Sequence, residues 1–129
     1  MLNGLETIRM ARAMNAHAAR RMTVIAGNLA NADTPGYRAR DLRPFDETYR
    51  GGGTSSLRAT RAGHLRDAGG GIAQARLVED RGGRAPNGNS VSLEAEMMRS
   101  ADASRQHELS LAVYRSSLTM LRSALGRAR

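Results

Sequence analysis

The first third of the chain carries a regular apolar stripe. Apolar or small residues recur at spacings of three and four without a break, which is the period of a left-handed coiled-coil seam. The stripe consists of Ile8, Ala11, Asn15, Ala18, Met22, Ile25 and Leu29. It predicts an N-terminal helix over residues 1–33 that packs against another helix. Ala11 and Ala18 would allow a close approach, while Asn15 either sets the register of the contact or lies at its wet edge.

A second stripe with the same spacing predicts a C-terminal helix over residues 91–129. Ser92 is a suitable N-cap, and Glu94 and Glu96 suit the positive end of the helix dipole. The stripe consists of Leu93, Met97, Ser100, Ser104, His107, Leu111, Tyr114, Leu118, Leu121 and Leu125. Its last five members are large and apolar, whereas its middle three are polar. We therefore expect the tight helix contact at the C-terminal end.

Turn chemistry separates the first helix from the middle of the chain. Residues 34–50 are predicted to form a turn and an extended segment, because Pro35 disfavours helical angles in the residue before it. Pro35 and Gly36 suit the two central positions of a type II turn. Asn31 and Asp33 are expected to bond local backbone amides where the helix ends.

Residues 51–90 form a glycine-rich middle segment. Ten of the 14 glycines lie between positions 51 and 88. We expect a flexible or partner-ordered stretch, in which a short strand around residues 72–79 is the one regular element considered. The predicted fold is all-α, with long terminal helices pairing as an antiparallel coiled-coil-like layer around this irregular middle, which has room for a short β element.

Composition excludes several kinds of catalytic site in this chain of 129 residues. All 20 basic residues are Arg and there is no Cys. Without Lys there is no Schiff-base or P-loop lysine, and without Cys there is no disulfide, thiol nucleophile or Cys-ligated zinc. His17, His64 and His107 are scattered and match no metal-ligand spacing. We expect His107 to be a packed or half-exposed helix residue, and we predict no enzyme, no cofactor and no metal.

The formal net charge of +8 raises a second functional hypothesis. A concentrated basic stripe would favour nucleic acid, but here the excess is spread along the chain and the longest basic run is Arg20-Arg21. A small basic adaptor that binds nucleic acid or an acidic partner surface is the alternative function. The stretch after Arg20-Arg21 superficially resembles a twin-arginine signal. Because Asn28 and Asn31 interrupt it, we expect no cleaved signal, and no run approaches the roughly 20 apolar residues of a membrane span.

The run from Ile25 to Tyr37 resembles the N-terminal signature of bacterial flagellar rod, hook and hook-associated axial proteins. Its Ala-Asp-Thr-Pro-Gly-Tyr form is similar to proximal rod members of the flagellar basal-body rod family. Residues 87–91 and 93–97 resemble that family's junction into its C-terminal helix, so the resemblance covers both helical ends. The signature residues are Asn28, Asn31, Asp33, Thr34, Pro35, Gly36 and Tyr37.

The resemblance implies a structural axial protein of the bacterial flagellum with no catalytic role. Such proteins are exported unfolded through the flagellar type III apparatus without a cleaved signal, and their terminal helices form the inner layer of a periplasmic rod. The implied partners are copies of the chain, other rod and basal-body proteins and the export apparatus, with no nucleic acid and no membrane span. The signature turn would be a structural corner that contacts neighbouring subunits.

The two stripes together predict a subunit interface. Two helices with Ala-rich faces make a marginal pair by themselves, so we expect the ends of the chain to order on association with copies or partners. The expected interface residues are Ile8, Met22, Ile25, Leu29, Leu111, Tyr114, Leu118, Leu121 and Leu125.

Overall fold

The structure, a computed structural model, describes residues 2–51, 75–80 and 82–126. Two long helices form a hairpin, and a two-stranded ribbon and a short helix lie against one side of it. In chain order the elements are α1 (Leu2–Ala30), β1 (Arg40–Leu42), α2 (Phe45–Gly51), β2 (Leu77–Glu79) and α3 (Leu93–Gly126). The predicted architecture of long, paired terminal helices is confirmed.

The two long helices run antiparallel. At one end of the hairpin, a Cβ built on Gly4 would lie 3.6 Å from Cδ2 of Leu121. Towards the other end, Arg21 of α1 and Arg99 of α3 both approach the carboxylate of Asp41. The start of α1 therefore lies beside the end of α3, as the sequence analysis predicted.

The predicted stripe of α1 forms its side of the helix contact. Ala11, Ala18 and Ile25 are almost completely buried. Two of these three residues have only a methyl side chain, which brings the helix backbones close together. The prediction that Ala11 and Ala18 allow a close approach is confirmed.

The stripe predicted for α3 is displaced by one residue. The buried residues are Glu96, Ala103, Ser110 and Ser117, each of which directly precedes a predicted position. They are spaced evenly along the helix, so the expectation of tight contact only at the C-terminal end is wrong. The physical reason is size: where two helices lie close together, Ala and Ser fit between them, and larger neighbours such as Leu111 and Leu118 are displaced to the edge.

The start of α3 follows the predicted capping chemistry. Ser92 precedes the first helical residue, and its Oγ accepts a hydrogen bond of 3.5 Å from the backbone N–H of Ala95. The carbonyl of Ser92 accepts the N–H of Glu96 at 2.9 Å. Glu94 and Glu96 both lie in the first turn. Glu96, however, is buried in the fold, which the dipole argument did not anticipate.

The ribbon joins the middle segment to the hairpin. Strands β1 and β2 are antiparallel, with Arg40 opposite Glu79 and Leu42 opposite Leu77. The strand expected around residues 72–79 is confirmed over its last three residues, and positions 72–74 lie outside the described residues.

The interval 34–50, predicted as a turn and an extended segment, also contains most of α2. This helix has only seven residues, too few to show a helical period in the sequence. Asp46 and Glu47 lie in its first turn, near the positive end of its dipole. The ring of Phe45 packs edge-on against His17 of α1, with the centroids 5.7 Å apart.

The close contact between the long helices should be intolerant of larger side chains. We expect Ser110→Leu to lower the free energy of unfolding by about 1–3 kcal/mol, because Ser110 is completely buried between the helices. Ser116→Leu, at an exposed position of the same helix, should change it by less than about 0.5 kcal/mol. Urea unfolding followed by circular dichroism measures both. Equal effects would contradict the placement of Ser110 in the contact.

Candidate functional site

The end of α1 is tied to β1 by one asparagine side chain. Asn28 is completely buried. Its Nδ2 donates to the carbonyl of Arg40 at 2.6 Å, and its Oδ1 accepts the backbone N–H of Arg40 at 3.0 Å. The same Oδ1 accepts a hydrogen bond of 3.4 Å from the hydroxyl of Tyr37. The amide therefore satisfies both backbone groups of Arg40, as a neighbouring strand would.

The turn after α1 has the predicted type II geometry. The N–H of Tyr37 donates to the carbonyl of Thr34 at 3.3 Å, and Gly36 has a φ of 72°. Gly88, with a φ of 80°, lies against this turn, and a Cβ built on Gly88 would be 3.4 Å from Cα of Gly36. The N–H of Gly36 donates to the carbonyl of Asn87 at 3.0 Å. The turn is thus held against the loop that precedes α3.

Asn89 closes the C-terminal end of α1. Only 3% of this residue is exposed, and its Nδ2 donates to the carbonyls of Asn31 at 3.0 Å, Ala32 at 2.6 Å and Thr34 at 2.9 Å. An amide nitrogen has two hydrogens, so one of them is shared. Its Oδ1 accepts the N–H of Val91 at 2.7 Å. One side chain thereby binds three carbonyls just after the end of α1 and joins them to the start of α3.

Asn31 acts differently from the prediction. Its Nδ2 donates to the carbonyl of Gly27 at 2.8 Å, and its Oδ1 accepts the hydroxyl of Thr34 at 3.3 Å. The expectation that it bonds backbone amides is wrong, because a helix C-terminus exposes carbonyls and therefore needs donors. Asp33 and Pro35 are exposed at the tip of the turn.

Sequence reasoning assigned no role to Asn89 and Ser90, which complete this corner. The hydroxyl oxygen of Ser90 accepts the N–H of Ala39 at 2.9 Å, and its own N–H donates to the carbonyl of Tyr37 at 3.1 Å. The available signal was the run from Asn87 to Ser90, which contains more amide and hydroxyl side chains than capping α3 requires. We call Asn28, Asn31, Tyr37, Asn89 and Ser90 the asparagine corner.

Next to the corner, five charged residues connect the ribbon to both long helices. Arg21 of α1 makes two parallel bonds to Asp41 of β1, of 2.9 and 2.8 Å. Arg99 of α3 binds Glu96 at 2.7 Å, donates to the carboxylate of Asp80 after β2 and lies 3.8 Å from Asp41. Glu96 is almost completely buried. This ion cluster fixes the position of the ribbon on the hairpin.

Three members of the ion cluster have pKa values shifted from their usual ones, namely Arg21, Asp80 and Arg99. The hydrogen bond to Asp41 raises the pKa of Arg21 above its usual value, although burial opposes the rise. Burial lowers the pKa of Arg99, but the hydrogen bond to Asp80 and the attraction to Glu96 together raise it by more. The pKa of Arg99 therefore lies above its usual value. The hydrogen bond from Arg99 lowers the pKa of the Asp80 carboxyl.

Because its pKa is lower in the folded chain, Asp80 stabilises the fold above its unfolded pKa of about 4, and the contribution is lost as pH falls through the folded value. We expect Asp80→Asn to unfold at lower urea than the original chain at pH 7, with a difference that shrinks below about pH 4. Asp102→Asn is the control, since the one ion pair described for Asp102 is an exposed pair with Arg105 worth about 0–1 kcal/mol. A difference that stays constant with pH would contradict the assignment.

The histidines have packing roles in the described structure. His17 is 3% exposed, and its Nε2 lies 2.8 Å from the carbonyl of Arg43, to which it donates. His107 is half-buried, as predicted, and His64 lies outside the described residues. Within the described ranges, no three His, Asp or Glu side chains converge as metal ligands, and no helix is long and apolar enough to cross a membrane.

The residues predicted as a subunit interface occupy different depths. Ile25 is buried inside the hairpin, and Leu29 and Leu125 are 49% and 66% exposed. Half-buried positions are taken by Ile8, Met22, Leu111, Tyr114, Leu118 and Leu121. Of the nine residues predicted for the interface, the structure thus buries Ile25 and leaves the other eight at least partly exposed.

Two rows of these residues flank the helix contact on the side away from the ribbon. Arg21 and Asn28 bind the ribbon, and the next residues, Met22 and Leu29, point about 100° further around α1. On α3, Gln106 lines a cleft together with residues of α2. The face of α3 that carries Gln106 is therefore the one on the same side as the ribbon. We call the rows on the other side the open groove. Its members are Ile8, Met22, Leu29, Leu111, Leu118 and Leu125.

Comparison with known proteins identifies the family. Residues 9–38, which cover most of α1 and the turn of the corner, match a family model described as flagella basal body rod protein. The flagellar basal body rod protein FlgB of Cereibacter sphaeroides is 31% identical over 105 residues, covering 81% of this chain and 82% of the relative. The chain belongs to the FlgB family of flagellar basal body rod proteins. The FlgB protein of Agrobacterium fabrum is 30% identical over 102 residues, covering 74% of this chain and 75% of its own length.

The asparagine corner should be a strong local determinant of this FlgB-family fold. We expect Asn89→Ala to lower the free energy of unfolding by about 1–3 kcal/mol, because three carbonyls lose their shared donor. Asp33→Ala, at the exposed tip of the same corner, should change it by less than about 0.5 kcal/mol. Urea unfolding compares the two variants. An Asn89→Ala chain as stable as the Asp33→Ala chain would show that the corner does not depend on this amide.

Proposed function

We propose that this protein is a structural subunit of the proximal rod in the flagellar basal body, and that it polymerises through α1 and α3. Membership of the FlgB family supports the rod role. The proposed partners are copies of the chain, other rod and basal-body proteins and, during export, the flagellar export apparatus. In the finished rod the protein would occupy the periplasmic part of the basal body.

One observation carries the polymerisation step: apart from Ile25, the residues buried inside the hairpin are small or polar, and the large apolar residues lie at its edge. Ala18, Ala103 and Ser110 are completely buried, whereas Leu29 and Leu125 are largely exposed. A chain that functions alone would gain stability by placing its large side chains inside. This arrangement suits a hairpin whose edge is covered by other subunits.

The energetic reason for assembly follows from the exposed area. Each square ångström of apolar surface removed from water contributes about 25 cal/mol. The open groove holds six large side chains in two rows, and all of them are at least partly exposed. A neighbouring helix in the groove would bury this surface without rearranging the hairpin.

The asparagine corner supports the same function by holding the helices in one geometry. Its buried amides are used within the chain, whereas Asp33, Thr34 and Pro35 lie exposed at its tip. The tip is therefore the part of the signature turn that we propose contacts neighbouring subunits.

We also propose export without a cleaved signal. Cleavage after the Ala30-Asn31-Ala32 sequence would remove α1, which forms one arm of the hairpin. It would also separate Asn28 from Arg40 and Tyr37, the partners it bonds in the corner. The fold therefore depends on the residues that a signal peptidase would discard.

No observation on the described residues favours the nucleic-acid alternative. Arg21 and Arg99 are engaged by carboxylates, Arg38 pairs with Glu79, and Arg105 pairs with Asp102. Each tyrosine is followed by an arginine, but Tyr37 lies in the corner, Tyr49 in α2 and Tyr114 in α3, so the three rings are on separate elements and do not form the row on which successive bases stack.

Rod assembly should depend on the open groove more than on exposed charge. We expect Leu118→Asp to abolish assembly, because burying an unpaired carboxylate between subunits costs several kcal/mol in each copy. Arg115→Gln should assemble normally, since Arg115 is exposed and such charges contribute about 0–1 kcal/mol. Motility and basal-body yield are measured in cells that carry each variant as their only copy, at equal expression.

The monomer provides the control for this comparison. Leu118 is half-buried within one chain, so an aspartate there can still reach water and the helicity of the isolated chain should be largely retained. Normal assembly of Leu118→Asp would contradict polymerisation through the terminal helices.

A further inference from the structure

A second apolar surface lies on α3 outside the open groove. Met98, Leu109 and Met120 are 73%, 57% and 62% exposed. They are spaced by 11 residues, which is close to three turns of about 3.6 residues each, so they lie along one line of the helix. We call these three residues the outer row. Among the residues that the structure describes, nothing covers these three large side chains, which together form an exposed apolar helix face.

The outer row and the open groove point in opposite directions. Leu109 and Leu118 are nine residues apart, or about two and a half turns, which places them on opposite sides of α3. One chain therefore cannot cover its own groove with its own outer row. Two different apolar surfaces on opposite sides of one subunit allow a head-to-tail contact, which can repeat from copy to copy and does not close after two copies.

The exposed charges on α3 favour one relative placement of two copies in this contact. In its first half α3 exposes Glu94, Asp102 and Glu108 against Arg105 alone. From residue 111 onward its described charges are only Arg115 and Arg122. Unlike charges attract, so the first half of α3 in one copy fits the second half of α3 in another better than it fits itself.

The start of α1 makes the same end of the hairpin more basic. Because the long helices are antiparallel, the start of α1 lies beside the end of α3, and it exposes Arg9 and Arg12 against Glu6. The end of the hairpin at which the open groove ends is therefore basic on both helices.

We propose that the outer row of one copy packs in the open groove of the next copy, displaced along the helix axis so that the acidic half of its α3 lies over the basic free end of the groove. The proposal rests on the rod function and specifies the contact that repeats between copies. Each subunit then uses its two apolar surfaces once, with one neighbour on each side. The displacement turns a lateral contact into an array that advances along the rod.

A competing arrangement pairs two outer rows with each other. The row is symmetric about Leu109, so an antiparallel neighbour would place Met98 against Met120. That contact would have two-fold symmetry and would close after two copies, leaving both open grooves uncovered. The charges and the groove favour the head-to-tail contact, and the experiment separates the two arrangements.

Cysteine cross-linking provides the test, since the natural chain has no Cys. One variant carries Leu109→Cys and Leu118→Cys, and a second carries Leu109→Cys and Leu125→Cys, which adds an exposed groove position in case Leu118→Cys disturbs the hairpin. Within one chain the paired cysteines are at least about 13 Å apart along the helix, too far for a disulfide that needs Cα atoms within about 7 Å. Every disulfide formed must therefore join two copies.

Basal bodies are isolated from cells that carry each variant as their only copy, and they are then oxidised. We expect a ladder of dimers, trimers and larger species from at least one double variant. The matched control is Leu109→Cys with Thr119→Cys, because Thr119 follows Leu118 but points about 100° away from the groove. The ladder should be lost in this control.

Three results would overturn the proposal. A discrete dimer from Leu109→Cys alone would show that outer rows pair with two-fold symmetry. Absence of a ladder from both double variants, with the protein present in the basal bodies, would reject the row-in-groove contact and leave the rod function standing. Absence of the unmodified protein from basal bodies would reject the rod function and this contact together.

Discussion

The close approach of α1 and α3 determines most of this structure. Two antiparallel helices lie close together only where the residues between them are small, and here those residues are Ala11, Ala18, Ala103, Ser110 and Ser117. The larger side chains are consequently excluded from the contact and line its edges. The constraint that makes the hairpin also creates the apolar surfaces that lead it to associate.

Directional polar bonds supply the specificity that such a contact lacks. Small side chains slide past one another easily, and Ile25 is the only large apolar residue of the described helices that is fully buried, so apolar packing alone does little to fix the register. Asn28 and Asn89 provide that fixation, because each amide bonds particular backbone groups at distances of 2.6 to 3.0 Å. The ion cluster around Arg99 does the same between α3 and the ribbon. Polar groups thus set the geometry, and apolar groups are available for association.

The sequence predicted the parts of the fold that depend on local chemistry. The period of the two stripes identified the long helices, Ser92 marked the start of α3, and Pro35-Gly36 specified the turn. The predicted line of contact on α3 is displaced by one residue, because the large residues Leu111 and Leu118 dominate the periodic pattern while Ser110 and Ser117 make the contact. Hydrophobicity is a poor guide where helices meet closely, since size decides which residue fits.

The polar site was harder to predict than the helices. Asn89 lies more than fifty positions from the carbonyls it binds, and a long-range hydrogen bond leaves no period in the sequence. The sequence indicates only that Glu96 lies in the first turn of a helix. Its burial and its pairing with Arg99 depend on the packing of the ribbon against α3. The family signature did identify Asn28 and Asn31. Resemblance to a family can thus point to polar residues that hydrophobic periodicity does not reveal.

The hydrogen bonds from Asn89 to the carbonyls of Asn31, Ala32 and Thr34, here called the clasp, affect how such a chain can vary. It joins the end of α1 directly to the start of α3 across separations of 55 to 58 residues in sequence. The spacing of the helix ends is therefore fixed by the clasp and not by the length of chain that connects them. Lengthening a connection adds only slowly to the entropy of closing it. The connection is thus a place where insertions, deletions and new surface features can accumulate while the helical framework keeps its form.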